Sequence, residues 1–188
     1  SIDGITFFTP SQLCAWRAET IFKKEPETIK WIDSFASDEI FWDIGANVGV
    51  YSMYSGVKKR LKTFAFEPSP FNFNVLAKNI FLNQQSGNVS AFCLAFSDNT
   101  VIDFLNLKSI NAGAAHTSFK NNVNEFGAEF SPEYSHSTIG FKIDDFIKLY
   151  NLSVPNHIKI DVDGAEKLVI DGALETLRNS RLKSILIE

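Results

Sequence analysis

The chain predicts an α/β fold with a mainly parallel central sheet and helices on both faces. Three observations carry that expectation. Short apolar runs alternate with amphipathic stretches from residue 39 to residue 188; the runs are rich in aromatic and β-branched residues; and an acid stands at or near the end of each run. Apolar strand interiors do not need such acids for burial. Right-handed crossovers bring the carboxyl ends to one edge, so Asp43, Glu67, the Phe96–Asp98 turn, Asp161 and Glu188 mark the expected site.

A helical preface covers residues 1–38. Residues 11–24 are weakly amphipathic, and Pro26 with Glu27 and Thr28 reads as the first turn of a helix to about Phe35. The first strand, 39–44, passes through Gly45, Asn47 and Gly49 into a helix over about 48–58. LKTFAFE (61–67) is the second strand, and Ser69 and Pro70 open a helix to about Asn83 with Phe73, Leu76, Ala77 and Ile80 on one face. NVSAFCLAF (88–96) reads as the third strand, followed by a turn at Ser97, Asp98 and Asn99 into TVIDFLNL. From Lys108 to about Ser137 periodicity fails, and this stretch is too long for a plain connector, so a substrate-side loop or insertion is expected. TIGFKIDDFIKLY is a strand leading to a short helix with Asp144 and Asp145 in its first turn. HIKID (157–161) is the fourth strand, GAEKLVIDGALETLR (164–178) a helix, and KSILIE (183–188) the fifth strand.

A chain of 188 residues suits one core, so residues 39–188 are expected to form a single domain with the preface packed on it. Eighteen Phe residues make that core unusually aromatic. The net charge of −4 leaves no basic footprint for a phosphate backbone, which argues against nucleic acid and for a small-molecule or nucleotide-sugar acceptor. Cys14 and Cys93 are the two cysteines. Cys93 falls in a predicted buried strand, so neither a disulfide framework nor a zinc cluster is indicated, and a reduced, cytoplasmic setting is the expectation. No apolar run approaches the roughly 18 residues of a membrane span, and there is no signal-peptide pattern. The chain begins at Ser1 and stops on an apolar strand, so it is expected to be a trimmed part of something longer.

The turn after the first strand separates two cofactor classes. A dinucleotide fingerprint reads GxGxxG with a pyrophosphate on the following helix N-terminus, whereas here Asp43 takes the first glycine's place in DxGxxxG. An acid repels a pyrophosphate but accepts hydrogen bonds from a cationic amino group, such as the ammonium of S-adenosylmethionine. Gly45 and Gly49 let backbone approach a ligand closely. Glu67 lies near the offset at which α/β nucleotide sites place a carboxylate for ribose hydroxyls. Asp98 is either an acceptor for an adenine amine or simple turn chemistry.

FWDIGANVGVYS (41–52), AFEPSPFNFNVLAKN (65–79), LAFSD (94–98) and IKIDVDGAEKLVIDGA (158–173) followed by ILIE resemble, in order, the FkbM-type S-adenosylmethionine-dependent methyltransferases of the Rossmann-like class I group. The likeness covers most of the chain from residue 39. It implies that the turn with Asp43, Gly45, Ala46, Asn47 and Gly49 holds the methionine part of the cofactor, that Glu67 beside Pro68 binds ribose, and that Ser97 and Asp98 border adenine. RAETIFKKEPETIKWID (17–33) is similar to the preface of members found in surface-polysaccharide gene sets, where it would help close the cofactor site. Asp163 stands where the family more often has Glu. Class I sandwiches usually add a sixth and an antiparallel seventh strand after the fifth, where this sequence stops.

The implied reaction is methylation of a sugar or nucleotide-linked sugar hydroxyl in surface polysaccharide or glycan biosynthesis. A hydroxyl needs a base, and Asp161, Asp163 and Glu166 cluster at the end of the fourth strand. Asp161 stands first, with Asp163 beside it and His116 in the loop as the alternative. Asp161 or Asp163 with Glu188 would also supply oxygen ligands for a divalent metal such as Mg²⁺. Lys159 points inward or outward on its strand. Glu25 and Thr20 are candidates to cap the cofactor from the preface, or serve only as helix-end groups. A non-catalytic cofactor-binding module and an N-methyltransferase stay open as alternatives, while Asp43 disfavours a dehydrogenase.

Overall fold

A computed structural model of the chain describes residues 1–120 and 128–188; residues 121–127 of the expected loop lie outside the described residues. In chain order the elements begin with helices α1 (Gln12–Glu19) and α2 (Pro26–Asp33), strand β1 (Ile40–Ile44), helix α3 (Val50–Tyr54), strand β2 (Lys62–Phe66) and helix α4 (Pro70–Leu82). Five strands follow: β3 (Val89–Phe92), β4 (Ala95–Phe96), β5 (Val101–Leu107), β6 (Thr117–Phe119) and β7 (Tyr134–Phe141). Helix α5 (Ile143–Leu149), strand β8 (His157–Ile160), helices α6 (Glu166–Asp171) and α7 (Leu174–Leu177) and strand β9 (Ser184–Ile187) complete the chain.

Strands β3-β2-β1-β8-β9, in that spatial order, make an all-parallel sheet. The chain moves outward from β1 to β3 and returns to β8 on the other side of β1. The strand order therefore reverses between β1 and β8, where open α/β sheets form their ligand crevice. All of β1 is buried because both faces are covered. Phe41 and Ala65 face Ile29 and Ile32 of α2, Met53 of α3 and Leu76 and Ile80 of α4. Trp42, Ile44, Phe64 and Phe66 face Phe146 of α5, Val169 of α6 and Leu177 of α7. The phenylalanines supply much of that second layer. Phe146 stands edge-on to Phe66 and Phe96 at 5.7 and 5.6 Å, pairings worth about 0.5–1.5 kcal/mol each beyond their burial.

Several expected elements are divided. The apolar run 88–96 breaks after Phe92: β3 stays in the parallel sheet, while β4 pairs with β7 in a second sheet ordered β4-β7-β5-β6. Cys93, expected in a buried strand, is exposed in that break, its Sγ 3.7 Å from the Pro68 carbonyl. An uninterrupted apolar run does not say which sheet each half joins. The helix expected over 48–58 is α-helical only to Tyr54 and continues as a π-turn over Ser55–Lys59, closing at Arg60 with φ 55°. The helix expected over 164–178 is two short helices flanking Gly172, whose Cα packs so closely on the Ser97 carbonyl that a Cβ would overlap it. The expected loop at 108–137 is partly sheet, with β6 inside it and β7 starting at Tyr134. Among the described residues no helix is long and apolar enough to cross a membrane.

The opposite edge of the sheet carries a buried charged cluster. Glu39 accepts hydrogen bonds from His157 Nε2 at 2.8 Å, from the Ala36 N–H at 2.7 Å and from the Lys183 ammonium, and Phe35 stacks on His157 at 3.6 Å. The Lys183 hydrogen bond, helped by His157, outweighs burial and pulls the Glu39 carboxyl down to about 2 from its ordinary 4.5. A carboxyl depressed in the folded state contributes stability that is complete above 4.5 and lost as pH falls through about 2. The urea midpoint should therefore fall between pH 5 and 2, and Glu39→Gln should flatten that decline; an equally steep decline in the variant would show that other groups cause it.

Candidate active site

The glycine turn closes the crevice at the β1/β8 junction. Gly45 has φ 79° and a Cβ there would overlap the Asp161 carbonyl oxygen, so only glycine fits between β1 and the end of β8. Gly49 (φ 82°) caps α3 against Leu76, and Asn47 is left-handed at φ 51°. The N–H groups of Gly45 and Ala46 both donate to the Phe66 carbonyl, at 2.9 and 3.0 Å. Asn47 donates its N–H to Glu67 Oε2 at 2.8 Å, Val48 to Asn47 Oδ1 at 3.0 Å, and Gly49 to the Ala46 carbonyl at 2.8 Å. All five donors of the turn are thus used within the protein. The turn has room to offer a ligand but no N–H cradle for a pyrophosphate.

Two open cavities share Arg17, Gly45, Asn47 and Asp161. The larger, about 700 Å³, has an apolar wall that includes Ile44, Phe66, Leu94, Phe96 and Val162, with Glu67, Asn72, Asp161 and Asp163 among its polar groups; Pro68 also lines it. Glu67, expected at the end of β2, is buried. Its Oε1 accepts the Ser69 N–H and its Oε2 the Asn47 N–H, both at 2.8 Å, and the Asn72 side chain also stabilises its charge. Burial pushes its carboxyl up to about 7 against the hydrogen bonds from Ser69, Asn47 and Asn72.

The smaller cavity, about 410 Å³, is charged. Thr20, Lys24 and Glu25 from the preface meet Ala46, Tyr51, Lys159 and Asp161 there. Glu25 accepts from the Lys24 ammonium and the Tyr51 hydroxyl; burial works to raise its pKa, and these bonds outweigh it, leaving the carboxyl below its usual range. Lys159 is 1% exposed. Burial disfavours its charge, but Asp161, Asp43 and Glu188 around it raise its pKa and keep it an ammonium. Asp43 lines neither cavity. Its Oδ2 accepts the Ser52 hydroxyl, its Oδ1 is buried with no hydrogen-bond partner, and burial raises its pKa although Lys159 opposes this.

The expected metal ligands do not converge. The Lys159 ammonium stands 3.1 Å from Asp161 Oδ2 and 3.4 Å from Glu188 Oε1, filling the place between them with a cation of the protein's own. Asp163 turns away to accept the N–H groups of His116 and Thr117 at 2.7 and 3.1 Å. Among the described residues no cluster of three or more His, Cys, Asp or Glu could hold a metal ion, so the Asp161, Asp163 and Glu188 metal site is corrected to an ion-pair network.

Those two N–H groups belong to a tethered strap within the expected loop. Ser11 Oγ donates to the Ala112 carbonyl at 2.6 Å, and Arg17 Nε to the Gly113 carbonyl at 2.7 Å. Asn47 and Asn72 both donate to the Ala114 carbonyl at 3.0 Å, and the Gly113 N–H donates to Asn72 Oδ1 at 2.8 Å. Ala114, Ala115 and Thr117 consequently wall the larger cavity, and His116, with φ 64°, meets Asp163 through its main chain. Ser97 and Asp98 lie outside both cavity linings. Ser97 is buried beneath Gly172, and Asp98 accepts the Lys120 ammonium at 2.6 Å, which holds its carboxyl below the usual range; Leu94, Ala95 and Phe96 line the cavity instead. Arg17, Lys24, Tyr51, Asn72 and Thr117 were not singled out as site residues. Arg17 opens the 17–33 segment that resembles the family's preface, but nothing in that segment sets it apart from its neighbours.

A parallel sheet whose crevice holds a glycine turn, a buried strand-end acid and an apolar slot defines a Rossmann-like α/β protein with an open crevice at its strand ends. Residues 43–188 match the methyltransferase FkbM domain, and the chain belongs to that family. It is 23% identical over 164 residues to the hexuronic acid methyltransferase AglP of Haloferax volcanii, a match covering 87% of this chain and 62% of that protein. It is 26% identical to the methyltransferase sdnD of Sordaria araneosa, over 77% of this chain and 64% of that one. The chain thus spans less than two thirds of the length of these relatives. A precorrin-6y C5,15-methyltransferase from Geobacter metallireducens, 17% identical, superposes over 96% of this chain and 66% of its own with a TM-score of 0.51, a likeness of fold.

Proposed function

We propose that the chain uses S-adenosylmethionine to methylate a hydroxyl of a sugar or nucleotide-linked sugar in surface polysaccharide or glycan biosynthesis. The observation that carries this reading is Glu67: a buried carboxylate at the end of β2, facing an apolar slot, with acceptor capacity beyond its bonds to Ser69, Asn47 and Asn72 for a ribose hydroxyl. The rest of the donor set fits the same cofactor. Leu94, Ala95 and Phe96 suit an adenine ring, while Glu25 and Asp161 suit the ammonium of the amino-acid end. Asp43 lies behind them and acts through Lys159 and Ser52. The likeness to a hexuronic acid methyltransferase favours a sugar acceptor.

When bound, the cofactor supplies an electrophilic methyl on a sulfonium. The protein's part is to align an oxygen with it, exclude water and accept a proton. Of the three proton-acceptor candidates, Asp161 lines both cavities but is ion-paired to Lys159, and His116 reaches the site through its backbone. We assign proton acceptance to Asp163 and give Asp161 the role of negative charge facing the sulfonium.

Hydroxyl donors to Glu67 favour its ionised form, so a carboxyl sitting at about 7 in the free protein must lose its proton to bind them well. Affinity for S-adenosylhomocysteine should rise as pH increases from 6 to 8. Calorimetry should show proton release on binding, and Glu67→Gln should bind more weakly with a flat pH profile. A wild type that binds no S-adenosylhomocysteine, or that binds it and methylates no member of a nucleotide-sugar panel, would respectively sink the cofactor reading or favour a binding module.

A further inference from the structure

Three cations line the smaller cavity, and two of them are already committed: Lys24 to Glu25, Lys159 to Asp161 and Glu188. Arg17 is different. Its Nε donates to the Gly113 carbonyl at 2.7 Å, while its terminal amino groups have no hydrogen-bond or ion-pair partner among the described residues. It is half-buried on α1 and lines both cavities. The glycine turn has no spare N–H to meet an anion, because all five of its donors are used internally. An anionic group entering either cavity therefore gets no N–H from that turn, and Arg17 offers it a charged partner.

Resting on the methyltransferase reading above, we propose that Arg17 is a carboxylate clamp at the junction of the two cavities. Its planar fork is fixed at Nε by the strap, leaving the pair of amino groups that matches a carboxylate's two oxygens. Two ligands carry that chemistry: the amino-acid end of the cofactor, through the smaller cavity, and a uronate acceptor, through the larger.

Binding should be measured calorimetrically for S-adenosylhomocysteine, for 5′-methylthioadenosine, which lacks the amino-acid carboxylate, and for UDP-glucuronate against UDP-glucose. The proteins are wild type, Arg17→Gln and Arg17→Lys. If the clamp serves the cofactor, Arg17→Gln weakens S-adenosylhomocysteine by about tenfold or more and leaves 5′-methylthioadenosine unchanged. If it serves the acceptor, the variant loses the preference for glucuronate over glucose and keeps S-adenosylhomocysteine. In either case Arg17→Lys restores only part of the loss, since an ammonium cannot form the fork. Unchanged 5′-methylthioadenosine binding reports that the variant's site is folded. Arg17→Gln binding both carboxylate ligands within about twofold of wild type overturns the clamp alone; a wild type that binds neither S-adenosylhomocysteine nor 5′-methylthioadenosine overturns the cofactor reading and the clamp with it.

Discussion

Asp163→Asn should lower kcat by about a hundredfold or more while S-adenosylhomocysteine binds within about twofold of wild type. Asp163 lines the larger cavity with Oδ2 tied to the strap N–H groups of His116 and Thr117, and with no partner for Oδ1 among the described residues. Burial, with the nearby Asp161 charge adding to it, raises its pKa above the usual aspartate value, closer to that of an effective base at neutral pH. Asparagine keeps the acceptor for both N–H groups, so the strap should stay in place and the loss should fall on proton transfer. The sign of the pH effect follows. A base works when deprotonated, so wild-type kcat should decline as pH falls through the raised pKa, and that acid limb should vanish in the variant. Retained activity in Asp163→Asn together with its loss in Asp161→Asn would move the role to Asp161.

The second large effect is expected at Gly45. A left-handed φ of 79° costs a non-glycine residue about 1–2 kcal/mol, and the overlap of a Cβ with the Asp161 carbonyl adds about 1–3 kcal/mol of overpacking strain. Gly45→Ala should thus lose roughly 2–5 kcal/mol of stability by urea unfolding, and should bind the cofactor poorly even where it remains folded. Gly4→Ala separates the two causes, because Gly4 has φ 75° but nothing within 4 Å of its would-be Cβ. It should show the backbone cost alone. Equal losses at the two positions would mean that the close approach of β1 to Asp161 contributes nothing.

Much of the fold was legible because short apolar runs ending on acids need nothing from distant parts of the chain. The five parallel strands around Trp42, Phe66 and Ile160 lie within a few residues of where the pattern puts them. The break at Cys93 was not legible. Residues 91–96 are apolar throughout, and only pairing with β7, more than 40 residues away, draws Ala95 and Phe96 into a second sheet. The same limit hid the end of the 164–178 helix, since Gly172 is a tolerable helix residue until the Ser97 carbonyl packs against it.

At the candidate site the division has the same cause. The identity of the turn and the acids at 43, 67, 161 and 163 come from local pattern, and Glu67 needed only its offset from Asp43 to be placed. What each acid meets depends on groups from other elements. Asp43 is withdrawn from both cavities beside Ser52 and Lys159, and Asp98 is taken by Lys120. Asp161 and Glu188 share Lys159 in place of a metal, and Arg17 arrives from a helix of the preface, outside the strand-and-turn pattern. The sequence alone therefore determined the sheet, the glycine turn and the stock of carboxylates, because those follow from backbone period and steric tolerance. Only the tertiary structure decided which charges are neutralised and which are left to meet a ligand, because ion pairing depends on distances of 3 to 4 Å between residues far apart in the chain.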